Sequence, residues 1–207
     1  MKTAAVTSAR RVREIARTRE DILFAAARTF AHAGYHATRM QEIAADAGYS
    51  VPSLYAYFRS KQQIFDAVID RLRTELLGTF DEPMPAGLSF PTRLEWLVRR
   101  QLEVNERWSD ALAVLFLAGA PTTARGRPGR SGVSAYAPRF AEWIREAAGK
   151  SLGDQNADDL GFALAGIVIG FTRHWIETGR RGRLADRTQR VVDLFLRGAL
   201  GGREEGR

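Results

Sequence analysis

The chain has 207 residues, room for one large domain or for a small domain joined to a larger one, and long enough to bury a core. At 45% apolar and 27% charged residues it has the composition of a globular chain, and the absence of cysteine excludes disulfide scaffolds, Cys-ligated zinc and thiol nucleophiles. Lys and Arg outnumber Asp and Glu by 31 to 24, a net charge of +7 that points to a polyanionic partner.

The excess sits at the front. Residues 1–61 carry ten basic and five acidic side chains, and the first 19 residues hold six basic against one acidic. This is a local field, distinct from a general solubility charge. The longest apolar runs, Gly161–Thr172 and Ala111–Pro121, are too short to span a bilayer, and no apolar run follows the N-terminal arginines as a secretory signal would require. The expectation is a cytoplasmic protein with no membrane partner.

The pattern reads as all-α, with about nine helices, because strand-length alternation and hairpin turn pairs are missing. Capping-box spacings recur as start signals at Thr38-x-x-Gln41, Ser60-x-x-Gln63, Thr92-x-x-Glu95 and Asp186-x-x-Gln189. The first helix is expected over Thr18–Ala33, with Ile22, Ala26 and Phe30 repeating every four residues and Gly34 ending it. Short helices follow over Arg39–Ala47, ended by Gly48, and over Val51–Phe58. A fourth runs over Lys61–Phe80 on a stripe of Ile64, Phe65, Val68, Ile69, Leu72 and Leu76. Asp81–Gly87, with two prolines and a glycine, is the expected break, giving domains of 17–77 and 78–207.

Five more helices are expected near 92–108, 110–118, 133–148, 157–178 and 187–200, with a flexible basic loop over Ala124–Gly132. Clean stripes run through Tyr136, Phe140, Trp143, Ile144 and Ala147, and through Leu184, Thr188, Val191, Val192 and Phe195. The 157–178 segment is apolar in every direction around its axis, which asks for burial on all sides. In so small a domain a second copy of the chain is the simplest cover for its outer face, the alternative being a central core helix of a monomer. Gly161, Gly166 and Gly170 would permit close helix approach, at roughly 1 kcal/mol of helix propensity each relative to Ala.

The segment Thr38–Lys61, TRMQEIAADAGYSVPSLYAYFRSK, carries the chemistry. Two short helices are joined by a turn in which Gly48 supplies positive φ and Ala44 lets the helices approach. Ile43, Ala47, Leu54 and Phe58 form the inner faces, the pattern of a helix-turn-helix. With Leu54 and Phe58 inside, the second helix leaves Ser50, Val51, Ser53, Tyr55 and Tyr57 outside, and hydroxyls on an uncharged surface suit phosphates and base edges. Pro52 fits the first turn, where its missing N–H costs little. Thr38 and Lys61 lie at or beside helix N-termini, where free N–H groups favour phosphate.

Residues Thr18–Leu72 resemble the DNA-binding domain of the tetracycline-repressor (TetR) family. The likeness is carried by Ile22-Leu-x-x-Ala26, Phe30-x-x-x-Gly34-Tyr-x-x-Thr38, Ile43-Ala-x-x-Ala47-Gly48-x-Ser50 and Leu54-Tyr55-x-Tyr57-Phe58-x-Ser60-Lys61-x-x-Ile64-Phe65. It covers about a quarter of the chain. It implies an N-terminal three-helix DNA-binding domain and a C-terminal helical domain that binds a small molecule and dimerises through its last helices, near 157–178 and 187–200. It further implies DNA contacts by Thr38, Arg39, Ser50, Val51, Pro52, Ser53, Tyr55, Tyr57 and Lys61, with Thr38 and Lys61 on phosphate. Val51-Pro52 departs from the polar or Gly residues many members carry there, so readout at that point would be apolar.

The resemblance implies a dimeric transcriptional regulator, a repressor released from a palindromic operator in double-stranded DNA by a hydrophobic small-molecule effector. It implies no enzymatic activity and no cofactor. The other class is a DNA-binding head carrying a C-terminal enzyme or protein-interaction module; the sequence shows no Ser-His-Asp spacing, phosphate loop or carboxylate pair for it. Trp96, Trp108, Phe116, Tyr136, Trp143 and His174 are the candidates for lining an effector site, and the aromatics among them read as core first. His32 and His36 straddle Gly34 and share no helix face, and His174 with Glu177 reads as a polar pair, so no metal site is expected. The arginines at 10, 11, 13, 17 and 19 either enter a minor groove, add only non-specific attraction or form a disordered tail, and the spacing of Arg10, Arg13 and Arg17 could also extend the first helix.

Overall fold

The computed structural model describes residues 2–117, 133–149 and 155–200, with side chains from Arg10 to Gly198 within those ranges, except at 133–135. Every element among the described residues is helical. In chain order these are α1 (Lys2–Ala33), α2 (Met40–Ala47), α3 (Val51–Tyr57), α4 (Lys61–Gly78), α5 (Phe90–Arg107), α6 (Ser109–Leu117), α7 (Val133–Ala148), α8 (Ala157–Glu177), a short 3-10 turn (Leu184–Arg187) and α9 (Thr188–Leu200). The expected loop Ala124–Gly132 lies outside the described residues.

Several starts differ from the sequence expectation, each for a local reason. α1 begins at Lys2, so the basic arm is helix. At α2 the reciprocal bond falls one residue late: the Arg39 N–H donates to Glu42 Oε2 at 2.8 Å, in place of the Thr38/Gln41 pair. α5 opens at Ser89, whose Oγ accepts from the Thr92 N–H, and Pro91 occupies the first turn; the Thr92/Glu95 box is therefore inside the helix. Asp186 sits in the 3-10 turn, and α9 starts after it at Thr188. Ser60/Gln63 keeps its place: the Gln63 N–H donates to Ser60 Oγ, and Gln63 Oε1 accepts from the Arg59 N–H.

The chain divides into two compact units. The first holds the residues through Arg71 together with Asp110–Leu117, and the second holds Leu72–Ser109 together with the described residues from Val133 onward. The division falls within α4, a few residues before the expected 77/78 boundary.

In the first unit, Ile22, Ala26 and Phe30 of α1 are buried with Ile43, Leu54, Phe58, Ile64, Phe65 and Val68. Phe30, Tyr35 and Phe65 form an aromatic triangle with centroids 5.2–6.0 Å apart in tilted or edge-on geometry. Arg28 pairs with Asp46 at 2.9 Å and Arg71 with Glu20 at 3.0 Å, exposed ion pairs that trim register more than they stabilise.

In the second unit, the core comprises Leu94, Leu97, Val98 and Leu102 of α5, Phe140 and Ile144 of α7, Leu164, Ala165 and Val168 of α8, and Val191, Val192 and Phe195 of α9. Two buried polar groups are satisfied inside it. Asn105 Nδ2 donates to Thr172 Oγ1 at 2.9 Å, and that hydroxyl donates to the Val168 carbonyl. Gln101 Nε2 donates to the Leu76 carbonyl and to Thr79 Oγ1, serving a carbonyl that the last turn of α4 leaves without a helical partner. The Pro-rich segment at Asp81–Gly87 is tied down within this unit. Arg100 Nε donates to Glu82 at 2.8 Å, and Arg139 Nη2 donates to Asp81 at 2.8 Å with its guanidinium over the Phe80 ring.

α7 and α8 cross closely at Gly161. A Cβ built at Gly161 would lie 2.5 Å from the Ala141 nitrogen and 2.7 Å from the Ala137 carbonyl oxygen, both backbone atoms that cannot move without moving α7. One at Gly166 or Gly170 meets nothing within 4 Å in this chain. Of the three glycines, only Gly161 is consumed by packing inside the chain. The Gly161→Ala variant is expected to lose about 1–3 kcal/mol of stability through overpacking, although Ala is the better helix former; an unchanged or raised melting temperature would show that α7 yields.

Candidate nucleic-acid interface

α2 ends at Gly48, whose φ of 74° sends the chain through the left-handed region. The Gly48 N–H donates to the Ala45 carbonyl and the Tyr49 N–H to the Ala44 carbonyl, closing α2 while Ala44, at 1% exposure, keeps the neighbouring helix near. Ser50 then opens α3: its Oγ accepts from the Ser53 N–H at 3.2 Å and lies 2.8 Å from Ser53 Oγ. Pro52 sits in the first turn, where no helical N–H is required. α3 stops at Tyr57, and Phe58 is an extended cap.

α3 presents a clear outer face. Leu54 and Phe58 are fully buried; Pro52, Tyr55 and Ala56 are exposed; Val51, Ser53 and Tyr57 are half-buried at the edges. Tyr55, 49% exposed, carries the most prominent hydroxyl. The hydroxyls of Ser50 and Ser53 are partly used in capping, so their first task is to start the helix.

Three cations that could serve DNA are drawn into the unit's own backbone or held within it. Lys61 Nζ donates to the carbonyls of Tyr35 (2.7 Å), His36 (3.0 Å) and Thr38 (2.7 Å). An ammonium has three donors, and all three are engaged; the group also lies 4.7 Å from the Tyr35 ring centroid. These bonds tie the start of α4 to the α1–α2 turn, at a residue expected on phosphate. Arg19 Nη1 donates to the Tyr57 carbonyl at 3.3 Å, and its guanidinium stacks over Phe58 at 4.4 Å, so a cation serves the C-terminal end of α3. Arg28 pairs with Asp46.

Thr38 is also turned inward. It is 2% exposed, its Oγ1 donates to the Gly34 carbonyl at 2.8 Å, and its N–H donates to the same oxygen. Its hydroxyl meets carbonyls that the end of α1 leaves without helical partners, which places it away from solvent. Arg39, next to it, is exposed and begins α2. Of the nine residues expected at DNA, Arg39, Ser50, Pro52 and Tyr55 are exposed, Val51, Ser53, Tyr57 and Lys61 are half-buried, and Thr38 is buried.

Sequence reasoning missed the supports. Tyr35 Oη donates to Gln62 Oε1, and Gln62 Nε2 donates on to Asp66. Burial, and then the charge of Asp66, pushes the Tyr35 phenol up from its usual range. Tyr49 Oη reaches Thr18 and Asp21 of α1. Apart from Gln62 and Asp66, four residues apart on α4, these partners stand far apart in sequence, and no local spacing signals them.

The six candidate effector residues are divided between the two units. Phe116, half-buried, falls in the first unit. In the second, Trp108 and Trp143 are core residues, with Phe90 and the Arg93 guanidinium against the Trp143 ring; Trp96 and Tyr136 are half-buried; His174 is exposed in the last turn of α8. Burial pushes the Tyr136 phenol up to about 12, opposed by the charge of Arg73. Among the described residues, no cluster of three or more His, Asp or Glu could hold a metal, and no helix is long and apolar enough to cross a membrane.

A two-helix motif with this outer face is a helix-turn-helix of the kind that lays its second helix in a DNA major groove. Residues 22–68 match the family model described as bacterial regulatory proteins, tetR family. Over those residues the chain carries the DNA-binding domain of that family. It is 33% identical over 96 residues to the HTH-type transcriptional repressor KstR2 of Rhodococcus jostii, covering 46% of this chain and 47% of that protein. It is 47% identical over 98 residues to the HTH-type transcriptional activator FasR of Mycolicibacterium smegmatis, covering 47% and 45%. The chain thus spans about half the length of these curated relatives. Among solved structures, it superposes on a TetR-like transcriptional regulator from a Rhodococcus species with a TM-score of 0.64 at 26% identity, covering 90% of this chain and 97% of that one.

Two expectations follow from this geometry. Lys61→Met should lower stability by about 1–3 kcal/mol, since it strips a charged donor from three carbonyls, yet leave the slope of log K against log salt for duplex DNA unchanged; a slope reduced by about 1 would return Lys61 to the phosphate contacts. For Tyr136, the folded chain favours the neutral phenol, so its contribution to stability is complete below pH 10.0 and lost as pH rises through about 12. Alkaline melts should therefore show Tyr136→Phe losing less stability than the wild type across that window, and parallel losses would remove Tyr136 as a cause.

Proposed function

We propose that the protein is a dimeric transcriptional repressor that binds an inverted-repeat operator through α3 and is released by a hydrophobic small molecule held in its second unit. The observation that carries the reading is the outer face of α3: exposed Tyr55 and Pro52, flanked by Val51, Ser53 and Tyr57, on a helix whose ends and inner face are already fixed. Such a surface reads base edges and phosphates by hydroxyl and apolar contact, with Val51 and Pro52 suited to a thymine methyl.

Dimerisation through α8 and α9 is supported by what the second unit leaves open. Phe162 (56% exposed) and Leu194 (52%) are large apolar side chains in solvent, and Gly166 and Gly170 on α8 have free space above them. A second copy laid on this face would bury these side chains and use the open glycines for close approach. Two heads related by a two-fold axis require inverted half-sites.

The effector reading rests on the aromatic content of the second unit, in which Trp96 and Tyr136 are half-buried and Trp108 and Trp143 are in the core. Release would act through α4, which begins at the Lys61 clamp in one unit and ends at the Gln101 clamp in the other. By linkage, operator and effector would weaken each other's binding by one common factor, typically 5- to 150-fold. The choice of repressor follows KstR2; FasR, a named activator, marks the opposite sign as the competing outcome.

Footprinting on DNA selected from random duplexes should reveal two inverted half-sites protected together. Phe162→Glu combined with Leu194→Glu should give a monomer by sedimentation and lose most of the affinity for the paired site while keeping the helical content of the wild type. A single asymmetric half-site bound equally well by wild type and variant would overturn the reading.

A further inference from the structure

The N-terminal half of α1 lies outside the residues matched to the family, which begin at Ile22. α3 is fixed to α1 near one level of the helix: Tyr49, just before α3, reaches Thr18 and Asp21, and Tyr57, at its end, receives Arg19. Upstream of Thr18 the helix continues without break to Lys2, roughly 24 Å at the standard rise. Every side chain from Arg10 to Arg17 is exposed, so this stretch leaves the packed unit beside the recognition helix.

Its charge is one-sided. Arg10, Arg11, Arg13 and Arg17 face a single acid, Glu14, in these eight residues. Arg10, Arg13 and Arg17 recur at i, i+3 and i+7, one stripe along the helix. Glu14 pairs with Arg10 at 2.9 Å, with both side chains mostly in solvent, an interaction too weak to hold the guanidinium from a phosphate.

Resting on the DNA-binding reading above, we propose that this half of α1 is a rigid basic strut that lies along the phosphate backbone flanking the site read by α3, through the Arg10, Arg13 and Arg17 stripe. A helix with its side chains is about 10–12 Å across, whereas the minor groove of B-DNA is about 6 Å wide; the strut stays on the backbone and does not thread the groove as an extended arm would. Its contacts are therefore independent of sequence and act through counterion release. The strut extends the footprint beyond the helix-turn-helix and raises affinity for any duplex, leaving half-site choice to α3.

The test compares the full chain with Arg10→Ala/Arg13→Ala/Arg17→Ala and with the corresponding triple Lys variant, each titrated onto a random-sequence DNA duplex by fluorescence anisotropy over a range of salt. Ala favours helix, and these positions are exposed, so helical content and melting temperature should hold. The Ala variant should bind with a salt slope shallower by about 2–3, at roughly 0.9 per phosphate lost, and the Lys variant should keep the wild-type slope. The loss should be equal on A·T-rich and G·C-rich duplexes. A wild-type slope in the Ala variant would overturn the strut, as would a loss confined to A·T-rich DNA, the mark of minor-groove reading. A wild type that shows no salt-dependent binding to any duplex would instead overturn the DNA-binding reading itself, which separates the two failures.

Discussion

The recognition helix has seven residues, and in water a helix that short does not hold itself together, because the cost of nucleation exceeds what so few propagating bonds return. Its order has to be supplied from outside, and the first unit supplies it at three points. Leu54 and Phe58 are driven into the core; Ser50 caps the first turn; Arg19 crosses from α1 to the carbonyl of Tyr57 and stacks on Phe58. With both ends and one face fixed, the remaining face is set at a defined angle, and Tyr55 and Tyr57 project from a platform with little freedom to spend on binding. A surface built in advance loses less entropy when it meets its partner.

The same economy governs the charged residues. The net positive charge of the first 61 residues invites the view that each cation awaits a phosphate, yet several are committed elsewhere. Lys61 spends its three donors on the turn between α1 and α2, Arg19 donates to the Tyr57 carbonyl, and Arg28 pairs with Asp46. A buried or half-buried carbonyl is a closer and more constant partner than a phosphate that is present only part of the time. In the exposed stretch of α1 the arginines are dense and their side chains lie in solvent.

α4 belongs to both units, and hydrogen bonds hold it at each end. Lys61 binds the first turn to the α1–α2 junction, and Gln101, with Thr79, takes up the carbonyl of Leu76 near the last turn. Within the second unit, the Gly161 crossing of α7 and α8 and the buried Asn105–Thr172 pair are closely packed.

Much of the local architecture was legible in the chain because it depends on neighbours a few residues apart. The helical class, the ends at Gly34 and Gly48, the Ser60/Gln63 start, the inward Leu54 and Phe58 and the end of α4 before the Pro-rich segment all follow from spacing, capping and the φ that glycine permits. What spacing could not reveal is which way a polar side chain turns once distant backbone arrives. Thr38 and Lys61 occupy helix N-termini in the sequence, and there a phosphate contact is reasonable; in the fold the carbonyls of Gly34, Tyr35 and His36 come within reach and claim them. The Asp81–Gly87 segment has the composition of a linker, but Arg100 and Arg139 from two other helices fasten it. Local sequence determined where helices begin, end and hide their apolar faces, since those choices are settled within a turn or two. Tertiary structure alone decided which cations and hydroxyls face solvent, because that depends on long-range proximity to unsatisfied carbonyls and acids.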